Sequence, residues 1–408
     1  MDIVRDPLWN NIRLDRLALA LVDTGAMQRL RYVRQLGLAH LVYPGATHTR
    51  FEHALGTYHL ARLTLGILHD RGDLRALPTD EASVVLAAAL LHDIGHYPFA
   101  HALEEIGAPH HEDVGRALIT SGDIARILSE RIAADAPGRV AALVRAQSES
   151  PLQGLVSGSL DLDKIEYLKR DAHMCGVPYG EIDVDRLINS LALVRIGEDG
   201  ASRVVVGITE KGLSALESLL FAKYQMYRNV YWHHAVRSAT AMYKRAVGDA
   251  LASGALEVNR LPSFTDDQLL QHLADVAPSE MLTRLKQRRL YKRAFECPAA
   301  ELPDDAGEWI ASDPARTAAA ERALASELGL ADGEVLLDYP EKTQMLDLDL
   351  PVQLRSGAVS RLTSEGLPGV IHLPELSAQL YKSARWLRIF TARPAKISKQ
   401  RVLQLVSW

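Results

Sequence analysis

Cysteine is nearly absent: only Cys175 and Cys297 occur in 408 residues. That excludes a disulfide scaffold and a thiolate zinc site of the usual spacing, and it suits a reducing cytoplasm. No uninterrupted run of about 18 apolar residues is found, so no membrane span is expected. The opening stretch, "MDIVRDPLWNN", lacks the apolar centre of a signal peptide, and a cytoplasmic location is the expectation. Charge of neither sign dominates. The formal net charge is −5, which excludes a global demand for nucleic acid or an anionic membrane. Aromatic residues make up 6%, an ordinary share.

What is present is enough for a large core. Hydrophobic residues form 48% of the chain and charged ones 24%, which predicts a large soluble core and more than one domain. Helical spacing runs through "LDRLALALVDTGAMQRLRYVRQLG", which stops at Gly37. It continues in "GTYHLARLTLGILHD", "DEASVVLAAALLHDIGH", "DIARILSERIAAD" and "LDLDKIEYLKRDAHM". "RVVVGI" reads as a strand. Residues 211–247, "KGLSALESLLFAKYQMYRNVYWHHAVRSATAMYKRAV", read as one long helix. Beyond Pro262 two helices are followed by strands in "EVLLDYP", "MLDLDLPVQL" and "WLRIFTAR", broken by proline. The expected architecture is mainly α: a helical bundle over residues 1–255 and a smaller α+β lobe over 256–408.

The chemistry concentrates in "LLHDIGHYPFAH", Leu90 to His101. An apolar helix ends on His92 and Asp93, and an isolated buried carboxylate costs several kcal/mol unless strongly partnered. A divalent metal is such a partner. Imidazole with carboxylate suits Mn, Fe, Zn, Co or Ni, and water ligation leaves Mg open. On the dipeptide alone, a solvent-capped aspartate beside a core histidine is the commoner arrangement. Two further blocks shift the balance: "HTRFEHALG" upstream, with His53 opening a helix, and "SLDLDKIEYLKRD" downstream, with Asp163 near a helix start.

This order, His, then His-Asp, then Asp, resembles the ligand order of HD-domain phosphohydrolases. The resemblance implies that His53, His92, Asp93 and Asp163 converge on one metal. It is closer still to the deoxynucleoside triphosphate triphosphohydrolases, carried by "DTGAMQRLRYVRQLG", "YPGATHTRFEHALGTYHLA", "LLHDIGHYPFAHALEE", "HHED" and "DLDKIEYLKRDAHMCG". "RIFTARPAKISKQRVLQLV" resembles that family's C-terminal lobe.

In that family's pattern Arg50, His96, His101 and Lys164 would face the triphosphate, and Tyr167 would bond a phosphate oxygen or support the metal. Taken alone, His101 could also be a surface or capping histidine. His111 would be the catalytic histidine, oriented by Glu104 where the family often has Asp; His110 is its rival. Gln35 and Leu36 would contact the sugar, Asp171 its 3′-hydroxyl, and Tyr231 would exclude a 2′-hydroxyl; an ordinary amphipathic core residue is the alternative for Tyr231. Lys223 stands where the family has a phosphate-binding arginine, which keeps the charge and loses the bidentate fork. Asp23, Gln28 and Arg31 fall where an activating nucleotide's guanine would be read, although Trp9 and Asn10 depart from the family's "DPIHG". The resemblance implies a dNTP substrate, a nucleotide activator and a homo-oligomer, dimer or tetramer. Two other classes remain: an HD nucleotidase or phosphodiesterase, and a nucleotide sensor or nucleic-acid-binding protein. The last would use Lys382, Arg385, Arg388, Arg393, Lys396, Lys399 and Arg401 beside Trp386 and Trp408; a solvated face or an oligomer contact is the commoner role of such a stretch.

Overall fold

The structure is a computed structural model describing residues 2–197, 202–341, 349–363, 366–367 and 373–407, with the side chains of 373–378 left undescribed. Trp408 and the first four residues of "MLDLDLPVQL", 345–348, lie outside the described residues.

The chain is mainly α-helical, with three small sheets among the described residues. Helices Arg50–Arg71, Glu81–Leu91 and Leu162–Cys175 carry the bundle's centre. Each begins or ends for a local reason. Thr49 and Glu52 form a capping box, with Glu52 Oε2 accepting from Thr49 N at 2.6 Å; this starts the helix so that Arg50 and His53 sit in its first turn. Asp161 caps the last of the three by accepting from Lys164 N at 2.9 Å, and Gly176 ends it in the left-handed region. Val84, Val85, Leu90 and Leu91 are fully buried in the helix that delivers His92. Burying each such side chain stabilises by about 1.5–3 kcal/mol.

Two expected helices are broken. Residues 14–37 form helices Arg16–Val22 and Gly25–Arg29 and a 3₁₀ turn, Leu30–Tyr32. The break falls at Thr24, whose hydroxyl bonds Leu21 O at 2.7 Å instead of leaving the backbone to continue. The long helix of 211–247 is divided into Leu213–Met226, a π-helical turn Tyr227–Tyr231, and His234–Ala252. The Trp232 amide reaches back five residues to Tyr227 O at 2.9 Å, and the His233 ring caps the new helix at Ala235 N. This turn aims Tyr227 and Tyr231 into the central cavity described below.

The expected strand in "RVVVGI" is Arg203–Thr209, paired antiparallel with Leu191–Ile196 and parallel with Leu350–Gln353. Trp386–Thr391 lies between Lys292–Pro298 and Val335–Asp338 in the third sheet. An unanticipated hairpin, Asp2–Asp6 with Asn10–Leu14, opens the chain. Segments from both sides of residue 255 therefore share a sheet, and they share a core: Leu38, Tyr97, Phe99 and Leu103 pack in one cluster with Tyr243, Leu269, Leu285 and Phe390.

Candidate metal centre and active-site cavity

His53, His92 and Asp93 offer ligand atoms all within 4.8 Å of one another. His53 Nε2 stands 3.1 Å from His92 Nε2, and Asp163 Oδ1 lies 2.9 Å from the first and 3.5 Å from the second. The opposite ring nitrogens are already used. His53 Nδ1 meets Glu166 Oε2 at 2.6 Å and His92 Nδ1 meets Ala89 O at 3.0 Å. Those acceptors place the ring protons on Nδ1, so two Nε2 lone pairs face each other between two carboxylates. Such a set requires a cation. Burial opposes charge on His53, but Asp163 and Glu166 outweigh it and raise the ring to about 10. Without metal the site takes a proton; a divalent ion fits the same donors better, because it satisfies both nitrogens and both carboxylates at once.

Behind His53 runs a buried chain of charge. Glu166 Oε1 accepts from Arg170 Nε at 2.7 Å and from the Trp9 indole at 2.9 Å, and Arg170 donates to Asp6 at 3.0 Å. Gly56 makes this approach possible: a Cβ there would lie 1.9 Å from Glu166 Oε1. Trp9 thus has a structural reason to be where it is.

A second cluster sits beside the first. Glu104 Oε1 accepts from His111 Nδ1 at 2.8 Å, and Oε2 lies 3.4 Å from His101 Nδ1. Burial alone would raise the Glu104 pKa, but His101 and His111 hold it far below the usual carboxylate range. His110 comes only within 3.7 Å and its side chain is 79% exposed, against 16% for His111. Adjacency to the metal cluster depends on Gly95, where a Cβ would lie 2.1 Å from His111 O. The His111 ring stacks on His96 at 3.8 Å and 15°. Although His96, His101, Glu104 and His111 are close enough to be weighed as metal ligands, stacked parallel rings direct their in-plane lone pairs side by side, and no single ion lies in both planes. Burial, Arg50 and His111 keep His96 neutral, its pKa pushed well below the usual range. Its Nε2 lies 3.2 Å from Asp93 Oδ1 without hydrogen-bond geometry.

Both clusters open on one cavity of about 790 Å³. Its lining includes Gln35, Leu36, Arg50, His92, Asp93, His96, His101, Glu104, His110, His111, Asp163, Lys164, Tyr167, Asp171 and Tyr231. The cavity thus brings many of the residues named from the sequence together, and several of their side chains have partners other than those expected. Arg50 donates to Asp93 Oδ2 at 2.6 Å, and Lys164 to Asp161 Oδ2 at 2.5 Å and Gly158 O at 2.8 Å. Asp171 accepts from Tyr231 OH at 2.7 Å and faces His48 Nε2 at 2.8 Å. The Gln35 side-chain oxygen is buried without a partner. Lys223 is not among the lining residues described; burial and Lys164 lower it to about 8.

Asp23, Gln28 and Arg31 lie outside the cavity, with Arg31 stacked on Phe51 at 3.7 Å and bonded to Gln28 at 2.8 Å. The basic C-terminal stretch is divided among ion pairs. Arg385 binds Glu308, Arg393 binds Glu334, Lys399 binds Glu301 and Arg401 binds Glu327. His48, Glu166, Arg170, Asp6 and Asp161 were not anticipated. His48 stood in the quoted "HTRFEH" without a role, and its proximity to Asp171 has no local sequence signal.

The HD-domain family model matches residues 50–170, the segment that holds all four clustered ligands. Residues 50–170 therefore carry an HD domain. A second match, to the HD associated region, spans residues 182–366. Among curated proteins, an uncharacterized protein of Methanocaldococcus jannaschii is 35% identical over 293 residues, 72% of this chain and 59% of its own length. The human deoxynucleoside triphosphate triphosphohydrolase SAMHD1 is 23% identical over 407 residues, 86% of this chain and 62% of its own. The chain thus spans little more than half the length of such relatives. Among solved structures, a hypothetical protein from Aquifex aeolicus superposes with a TM-score of 0.72 at 28% identity, covering 100% of this chain and 99% of its own. A phosphohydrolase from Bacteroides thetaiotaomicron superposes at 0.74 with 24% identity, over 96% and 100%, a likeness of fold. No helix among the described residues is long and apolar enough to cross a membrane.

Proposed function

We propose that this HD-domain protein hydrolyses deoxynucleoside triphosphates to deoxynucleoside and tripolyphosphate. The observation that supports the reading is the shared cavity: a carboxylate-held histidine and three of the four candidate metal ligands, His92, Asp93 and Asp163, face the same space, with His53 buried behind them and Tyr231 and Asp171 in the lining. His53, His92, Asp93 and Asp163 would hold one divalent ion, Mn, Fe, Zn, Co, Ni or Mg. When bound, such an ion polarises a phosphate oxygen and lowers the pKa of a water.

The chain's own residues supply the rest. Water oxygen adds at the α-phosphorus as its bond to the 5′-oxygen breaks. His111 gives the departing oxygen a proton from Nε2, while Glu104 steadies the ring at Nδ1; the proton shed by the attacking water leaves to solvent, from which His111 is reprotonated for the next turnover. Arg50, His96, His101 and Lys164 receive the phosphates; a triphosphate brings about four negative charges and needs donors on several sides. Tyr167 assists there. Lys223, whose Nζ stands 6.0 Å from the centre of the Tyr227 ring, contributes charge at longer range. Gln35 and Leu36 meet the sugar. Tyr231, fixed by its bond to Asp171, occupies the place a 2′-hydroxyl would need, and the remaining capacity of Asp171 takes the 3′-hydroxyl. An activating nucleotide at Asp23, Gln28 and Arg31, bound between subunits of a dimer or tetramer, belongs to the same reading.

The test is product analysis with each dNTP, NTP and NMP, metal by metal. Tripolyphosphate released from dNTPs well ahead of NTPs is expected. Equal rates on ribo and deoxy forms, or turnover of monophosphates or cyclic nucleotides alone, would replace this reading with another HD phosphohydrolase. Binding without turnover under every metal would make the protein a nucleotide sensor.

A further inference from the structure

We infer that Asp266, which comes from the associated region rather than from the helices of the metal cluster, is a positioning residue that holds the segment bearing His101 and Glu104, and through Glu104 the His111 ring. The catalytic consequence rests on the hydrolase reading above; the structural one does not. Asp266 is the first residue of helix Asp266–Val276 and is 1% exposed. Its Oδ1 accepts from Phe99 N at 2.9 Å. Its Oδ2 accepts from Arg34 N at 3.0 Å and from Arg34 Nη1 at 3.1 Å. One carboxylate therefore joins the stretch before Gln35 to the stretch before His101.

The Phe99 end is the one under strain. Phe99 and Ala100 are consecutive non-glycine residues with φ of 59° and 63°. That backbone is disfavoured for residues with a Cβ and persists where surrounding contacts over-determine it. Directly after it comes the 3₁₀ helix Ala100–Ile106, which carries His101 and Glu104. A neighbouring tie reaches the other half of the site. Arg29 donates to Phe264 O at 3.0 Å and to His96 O at 2.7 Å. The segment Phe264–Asp266 thus grips both the His92–His96 turn and the loop that follows.

Capping does not explain the carboxylate. Thr265 and Gln268 already form the capping box, and the adjacent Asp267 is 87% exposed and able to serve the helix dipole. A buried carboxylate that receives three donors from two distant segments is instead a tether.

The experiment uses the full, metal-loaded chain with Asp266→Asn and Asp266→Ala. The amide keeps the size and one acceptor, which goes to the two Arg34 donors and sets the N–H₂ against Phe99 N; alanine removes both ties. Expected are wild-type metal content, little change in KM, a kcat lowered by on the order of 10²-fold in the alanine variant and less in the asparagine variant. Hydrogen exchange should quicken in peptides covering residues 97–111 and stay unchanged in Arg50–Arg71. Wild-type kcat and wild-type exchange in both variants would overturn the inference. So would loss of metal with exchange quickened everywhere, which is global destabilisation. If the wild-type protein turns over no nucleotide, the hydrolase reading fails, and the local exchange comparison still decides the tether.

Discussion

Glu166→Gln is a sharp probe of the metal site, because the residue touches no metal ligand atom directly. Glu166 has three donors on two oxygens: His53 Nδ1 at 2.6 Å on one, and Arg170 Nε at 2.7 Å with Trp9 Nε1 at 2.9 Å on the other. Glutamine has one acceptor oxygen. That oxygen goes to the side with two donors, leaving the amide N–H₂ against His53. The ring must then accept at Nδ1, which moves its own proton to Nε2, the atom that would bind metal. Loss of such an outer partner costs roughly 10- to 100-fold in metal affinity, about 1.4–2.7 kcal/mol. The variant also leaves Arg170 with Asp6 as its remaining carboxylate, so a lower melting temperature is expected, and metal affinity is read well below it. The measurement is metal titration against a chromophoric chelator, with stoichiometry by elemental analysis. Trp9→Phe is the control: it removes one neutral donor and should change stability by about 0.5–1.5 kcal/mol with metal retained. If Glu166→Gln holds metal as tightly as wild type, the tautomer argument for the centre is wrong.

His92→Ala and Asp93→Ala should each lose bound metal and all turnover; metal-free Asp93→Ala that still turns over would refute the ligand set. His111→Ala should keep metal and nucleotide binding while its rate falls by about 10² to 10⁴, the range for losing a general acid. His110→Ala should remain near wild type, and the reverse pattern would move the acid by one residue. Tyr231→Ala should narrow the preference for dGTP over GTP in a competition assay, and a ratio unchanged from wild type would remove Tyr231 from sugar selection.

What the sequence made legible were residues whose need for a partner shows locally. His92 and Asp93 end a helix that is otherwise apolar, and a charge carried into a core announces itself. The strands at 203–209 and 386–391 were equally plain, because β-branched runs differ from the helical text around them. The two broken helices were not, and for one reason. A 3.6-residue period continues across a π turn or a 3₁₀ step, since each shifts the apolar face by only a fraction of a turn. The break at 227–233 is marked instead by the i→i+5 bond from Trp232 N, the His233 cap, and the packing of Trp232 on Tyr381, which is distant in the chain.

The residues that finish the site were hidden by separation in the chain. His48 and Asp171 are 123 positions apart, Trp9 and Glu166 are 157, and Phe99 and Asp266 are 167. Each is an ordinary polar residue in its own neighbourhood: a histidine in a threonine-rich loop, a glutamate four before an arginine, an aspartate opening a helix. The i, i+4 spacing of Glu166 and Arg170 reads as a surface ion pair, yet both side chains are fully buried. What makes them functional is the removal of water around them. Once His53 is buried, its Nδ1 requires an acceptor, the acceptor's charge requires Arg170, and Arg170 requires Asp6 from the opening hairpin. The ligands are therefore a property of the helices that bear them, whereas their orientation is a property of the whole fold.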